Sequence, residues 1–123
     1  MCRRLNDSDY CFSRHSCTAI KLGVDRAVFA PLIDDIETVP VRDDLKSLLR
    51  FVKKLTLMPA RICRADAEEV FAAGWDEKCF HEAIYVMARF FLMNRLTLGH
   101  GMVVDEARRE SSALNMSYDK PDD

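Results

Sequence analysis

The sequence predicts an all-α fold of about five helices, on three observations. Gly and Pro number four each in 123 residues, too few for the frequent turns of a many-stranded sandwich or barrel. Leu45, Leu48, Leu49, Val52 and Leu55 recur at i, i+3, i+4, i+7 and i+10, with Lys46, Arg50, Lys53 and Lys54 on the other face, which is the period of an amphipathic helix. The stretch from Glu77 to Leu98 is long and apolar on almost every side, so it predicts a helix buried on most sides, some of that burial coming from a second subunit.

In chain order, the first helix is expected over Cys11 to Leu22. Asp7, Ser8 and Asp9 are its capping candidates and Gly23 closes it. Asp25 to Asp35 reads as a short helix with Pro31 near its first turn or kinking it, and Thr38 to Val41 as an extended connection, because residues before proline avoid the helical region. In the third helix, Asp43 and Asp44 suit the N-terminus and the lysines near its end suit the dipole; Pro59 stops it. A fourth helix is expected from Arg64 to Ala73, ending at Gly74 with a left-handed cap. Asp76 caps the fifth, which Gly99-His100-Gly101 terminates. Residues 1–104 form one helical domain, and 105–123 a polar tail frayed at its end.

Composition narrows the functional classes. Eighteen Lys+Arg against twenty Asp+Glu give a net charge of −2, with no basic stripe of the kind that nucleic acid requires. The most apolar stretch is interrupted by Arg89, Asn94 and Arg95, short of the roughly 20 clean residues of a membrane span. Met1-Cys2-Arg3-Arg4 is followed by no apolar core, so no signal peptide is read there and a cytoplasmic location is expected. The five cysteines, at positions 2, 11, 17, 63 and 79, are then expected as thiols rather than structural disulfides.

One segment carries candidate chemistry: Ser8-Asp9-Tyr10-Cys11-Phe12-Ser13-Arg14-His15. Cys11 falls in the first turn of the expected helix, where free backbone N–H groups and the dipole favour a thiolate. His15 lies one turn further along the same face, within reach to take the thiol proton or to stabilise the thiolate as imidazolium. The alternative is a structural thiol near a satisfied histidine. Cys17 sits about 200° round the helix from His15, so Cys11, His15 and Cys17 do not converge on one metal ion, and no cofactor is expected.

Cys11-x-x-x-His15 followed by Ala19-Ile20-Lys21-Leu22-Gly23-Val24 resembles the active-site helix of the alkylhydroperoxidase D-like, or carboxymuconolactone decarboxylase, family. The resemblance continues in order through Phe51-Val52-Lys53-Lys54-Leu55-Thr56 with Pro59, and Val70-Phe71-Ala72-Ala73-Gly74-Trp75. It ends with Phe90-Phe91-Leu92-Met93-Asn94-Arg95-Leu96, which is similar to a signature of the peroxidase-related branch. It spans about Arg3 to Gly101. This likeness implies a helical fold that assembles into dimers, trimers or hexamers, acting on an organic hydroperoxide with an external thiol or dithiol reductant. Cys11 would be the peroxidatic thiol and His15 its proton-relay partner.

Two positions depart from the family pattern. Ser8 stands where the family's resolving Cys would be, and a hydroxyl forms no disulfide. The family's Glu, and the helices around it, would fall ahead of Met1, so the site is expected to be incomplete at its N-terminal side. Among other thiols, Cys17 faces away from Cys11 along the helix, Cys2 could reach it, and Cys63 and Cys79 are expected as buried small hydrophobes. One-Cys peroxidase behaviour is therefore the leading expectation. The alternatives are an inactive helical module kept for oligomerisation or protein interaction, and a lactone decarboxylase. His81 is expected to be solvated or to serve packing, and His100 to sit at a helix end. Arg89 and Arg95 are expected to pair with acids or to edge an interface. Met87, Phe90, Phe91 and Met93 are expected to form core or interface, or to line an apolar pocket beside Cys11.

Overall fold

The computed structural model describes the backbone of residues 9–29 and 31–102, and the side chains of 15–102 other than 30 and 33. Every regular element among these residues is helical. Five α-helices follow one another: α1 (Asp9–Lys21), α2 (Pro31–Asp34), α3 (Asp43–Leu57), α4 (Arg64–Ala72) and α5 (Glu77–Gly99). Short 3-10 turns at Arg26–Val28, Ile36–Thr38 and Pro59–Arg61 link them.

The local signals act where the sequence places them. Gly23 (φ +91°) and Gly74 (φ +99°) take the left-handed conformation just past α1 and α4, which a Cβ would disfavour. The Asp76 carboxylate accepts from the Cys79 N–H at 2.7 Å and caps α5. Pro59 opens a 3-10 turn immediately after α3. The segment expected as one short helix over Asp25 to Asp35 is split, because Asp25 caps its own 3-10 turn through Ala27 N–H. Pro31, which has no N–H to give to a preceding turn, starts the next helix.

Helix α4 runs antiparallel to α3, because Lys54 meets Asp66 while Arg50 meets Glu69. After the Gly74 turn, Trp75 Nε1–H donates to the Asp44 carbonyl at 2.8 Å. This clamp brings the start of α5 against α3. There Phe80 packs between Phe51 (ring centroids 4.6 Å apart) and Phe71 (5.1 Å). Val70 beside them is fully buried, and Ile36 and Val39 are the other buried apolar residues among those described.

The two faces expected on α3 both turn out to be engaged. Leu45, Leu48, Leu49, Val52 and Leu55 are half-buried, while Ser47, Phe51 and Thr56 are buried. The basic face is covered too. Arg50 bridges Glu37 and Glu69 (both 2.7 Å), Lys46 Nζ donates to the Glu37 carbonyl, and Lys54 holds both oxygens of Asp66 at 2.6 and 2.7 Å.

Helix α5 is covered on one side only in the single chain. Phe80, Ala83, Ile84, Met87, Phe90, Phe91, Asn94 and Thr97 form the inward row, half-buried or buried. Tyr85 (61% exposed), Val86, Leu92 (59%), Met93 and Leu96 face outward. No described helix is long and apolar enough to cross a membrane.

Candidate functional site

The candidate thiol sits on α1, which begins at Asp9. Cys11 is thus the third helical residue, in the first turn, where backbone N–H groups have no partner within the helix. His15 is one turn further along the same face. The helix provides this register without help from the rest of the fold. The side chain of Cys11 lies outside the described residues, as do Ser8, Cys2 and the tail 105–123.

His15 is half-buried, and its ring meets Phe90 of α5 edge-on, with centroids 5.3 Å apart and planes at 89°. An imidazole held against an aromatic edge loses rotamer freedom. Phe90 lies ten residues beyond Phe80, about 15 Å along α5. The aromatic core thus lies at the start of that helix and the His15 contact near its middle.

Around Phe90 the inward row of α5 is a mixture of apolar and polar groups. Met87 and Phe91 flank it and are half-buried, whereas Met93 is exposed. One turn further on, Asn94 is 1% exposed, and neither its Nδ2 nor its Oδ1 meets a hydrogen-bond partner among the described residues. A buried amide in that state costs roughly 1–3 kcal/mol. Thr97, also buried, donates its hydroxyl to the Asn94 carbonyl at 3.1 Å. The sequence marks Asn94 as part of a motif, but its burial and its unpaired amide come only from the packing of α5.

The other expected residues lie along α1, at the start of α4 and along α5. Cys63 is exposed rather than buried, and its backbone N–H donates to Asp66 Oδ2 at 2.8 Å at the start of α4. Cys17 and Cys79 are half-buried thiols. His81 is exposed, and His100 is the exposed C-cap of α5. Arg89 is exposed. Arg95 folds back over the Phe91 ring (4.9 Å to the centroid) and donates to the Phe91 carbonyl, so among the described residues it meets an aromatic ring and a backbone carbonyl.

The charged groups missed by motif reading gather on α3 and α4. Lys54, hydrogen-bonded to Asp66, pushes that carboxyl down to about 2, with help from the Cys63 N–H. The paired carboxylates of Glu69 and Glu37 raise the Arg50 guanidinium. A cleft of about 410 Å³ next to this network is lined by Glu37, Asp44, Lys46 and Arg50 among others. Its polar groups are largely paired with one another, and none of the candidate site residues lines it. Among the described residues no three Cys, His, Asp or Glu side chains gather into a metal site. No family model, curated protein or solved structure matches the chain.

Proposed function

We propose that the chain is an alkylhydroperoxidase-like thiol oxidoreductase that detoxifies organic hydroperoxides, with Cys11 as the attacking thiolate and His15 as its activator. The observation that carries this reading is the pairing of a first-turn cysteine with a histidine one turn on, the histidine ring set against Phe90. The resemblance of the surrounding segments supports the same assignment. In the reaction, the Cys11 thiolate attacks the terminal oxygen of R–O–O–H and the O–O bond breaks. The alkoxide leaves with a proton from the His15 imidazolium, giving Cys–S–OH, R–OH and neutral imidazole. Sulfur is oxidised by two electrons and the peroxide is reduced.

With Ser8 in the resolving position, an external thiol condenses with the sulfenic acid and releases water. A second thiol then reduces the mixed disulfide. The test is consumption of tert-butyl or cumene hydroperoxide with a dithiol present, for the parent protein and Cys11→Ala. Equal rates overturn the assignment. Alkylation of Cys11 should show a pH midpoint below that of a free thiol, about 8.5.

A second reading is favoured by the outward apolar row of α5: an inactive helical module that acts through oligomerisation. It predicts a stable homo-oligomer that consumes no hydroperoxide. The two readings share the assembly and differ only in Cys11 chemistry.

A further inference from the structure

We propose that α5 pairs with α5 of a second copy of this chain, antiparallel about a two-fold axis, through ion pairs of Glu82 with Arg89 and of Glu77 with Arg95 between the copies. The proposal rests on the oligomerisation reading and does not depend on Cys11 chemistry. The outward row of α5 from Tyr85 to Leu96 is an exposed apolar surface, of the kind that another surface ordinarily covers. Which partner fits it follows from the charges on the same side of the helix. The acids of α5 are Glu77 and Glu82, in its first turns, and Arg89 and Arg95 follow. From Ala83 to Val104 the chain carries no Asp or Glu.

These four positions are self-complementary. Glu82 and Arg89 are seven residues apart, so both lie on the stripe of Tyr85 and Leu92. Glu77 and Arg95 are separated by five full turns, so they share one edge of that stripe. Both pairs have their midpoint beside Tyr85 and Val86. A single two-fold axis there sets each acid against an arginine of the other copy, and every contact forms twice, as in any isologous interface. A parallel pairing would set Glu82 against Glu82 and Arg89 against Arg89, which repel. An anionic surface of another kind would match the arginines and leave the two glutamates unmatched.

All four side chains are exposed in the single chain. Arg89 meets no carboxylate among the described residues. Lys78 stands 4.0 Å from Glu82, and both are exposed, so that pair holds the carboxylate weakly. Arg95 gives one guanidinium N–H to the Phe91 carbonyl and has others to offer. At the axis, Tyr85 and Val86 of the two copies supply the apolar contact.

The experiment is sedimentation velocity on the full chain, with circular dichroism as the check on folding. It compares the parent, Glu82→Arg, Arg89→Glu, an equimolar mixture of these two, and the variant carrying both. Each single reversal is expected to weaken self-association roughly tenfold or more, because it sets like charges opposite each other twice. The mixture and the doubly reversed variant are expected to associate like the parent, since opposite charges again meet between chains. Single reversals that associate as the parent does overturn this pairing and leave the oligomerisation reading standing. A mixture and a double variant that both stay dissociated also overturn it, because charge matching between chains is then not what joins them. If a single reversal loses its helicity, the double variant decides alone: association like the parent's supports the pairing and its loss overturns it. A parent protein that is monomeric at every concentration overturns the oligomerisation reading itself.

Discussion

His15 and Phe90 meet edge to face at 5.3 Å, with ring planes 89° apart. This contact ties the helix bearing Cys11 to the middle of the long helix α5, about 15 Å along it from the aromatic core at its start. Replacing Phe90 by Leu keeps most of the apolar volume and removes the aromatic contact, worth about 0.5–1.5 kcal/mol. The expected outcome is an unfolding free energy in urea lowered by that amount and a slower Cys11 alkylation at neutral pH, as His15 loses its aromatic contact. Unchanged alkylation would show that Phe90 serves only packing.

Phe51 is buried and touches Phe80, which in turn touches Phe71. It therefore joins three helices at one point. Phe51→Ala is expected to cost about 3–5 kcal/mol, read by chemical denaturation. A loss under 1 kcal/mol would mean that the neighbouring rings collapse into the space.

The Lys54–Asp66 pair gives the stability a defined pH dependence. Asp66 is held at about 2, below its ordinary 3.8. A lowered carboxylate contributes stability that is complete above its unfolded value and is lost as pH falls through the folded one. The advantage of the parent protein over Asp66→Asn should therefore be constant from neutral pH down to about 4 and shrink between about 4 and 2. Denaturant midpoints of both proteins across that range check it, and a difference independent of pH would refute it. Because the pair is partly exposed, high salt should narrow the gap.

The outward row of α5 makes a prediction about assembly. Tyr85, Leu92 and Leu96 are exposed at spacings of seven and four residues, which is one continuous stripe on a helix. A stripe of this kind is ordinarily covered by another surface. Leu92→Glu, at an exposed site with no inward contact to lose, should convert a homo-oligomer to monomer in sedimentation velocity while leaving the helical circular dichroism intact. A parent protein that sediments as a monomer at all concentrations would rule out assembly through this face.

The sequence alone determined where α3, α4 and α5 start and stop and where α1 stops, because capping and termination are local chemistry, whereas the one helix expected over Asp25 to Asp35 divides into a 3-10 turn and α2. Asp76, Gly23, Gly74 and Pro59 act within a few residues of themselves, and the Cys11–His15 register is a property of any helix that includes both. The tertiary structure decided what each face meets. Periodicity marked the leucine row of α3 as inward, yet the packing around α3 buried Ser47 and Phe51, and Glu37 of the preceding 3-10 turn with Glu69 and Asp66 of α4 paired its basic face. It exposed Cys63, left half of α5 uncovered in the single chain, and buried Asn94 without a partner among the described residues. Burial is set by every neighbouring element at once, and no window of the sequence contains those neighbours.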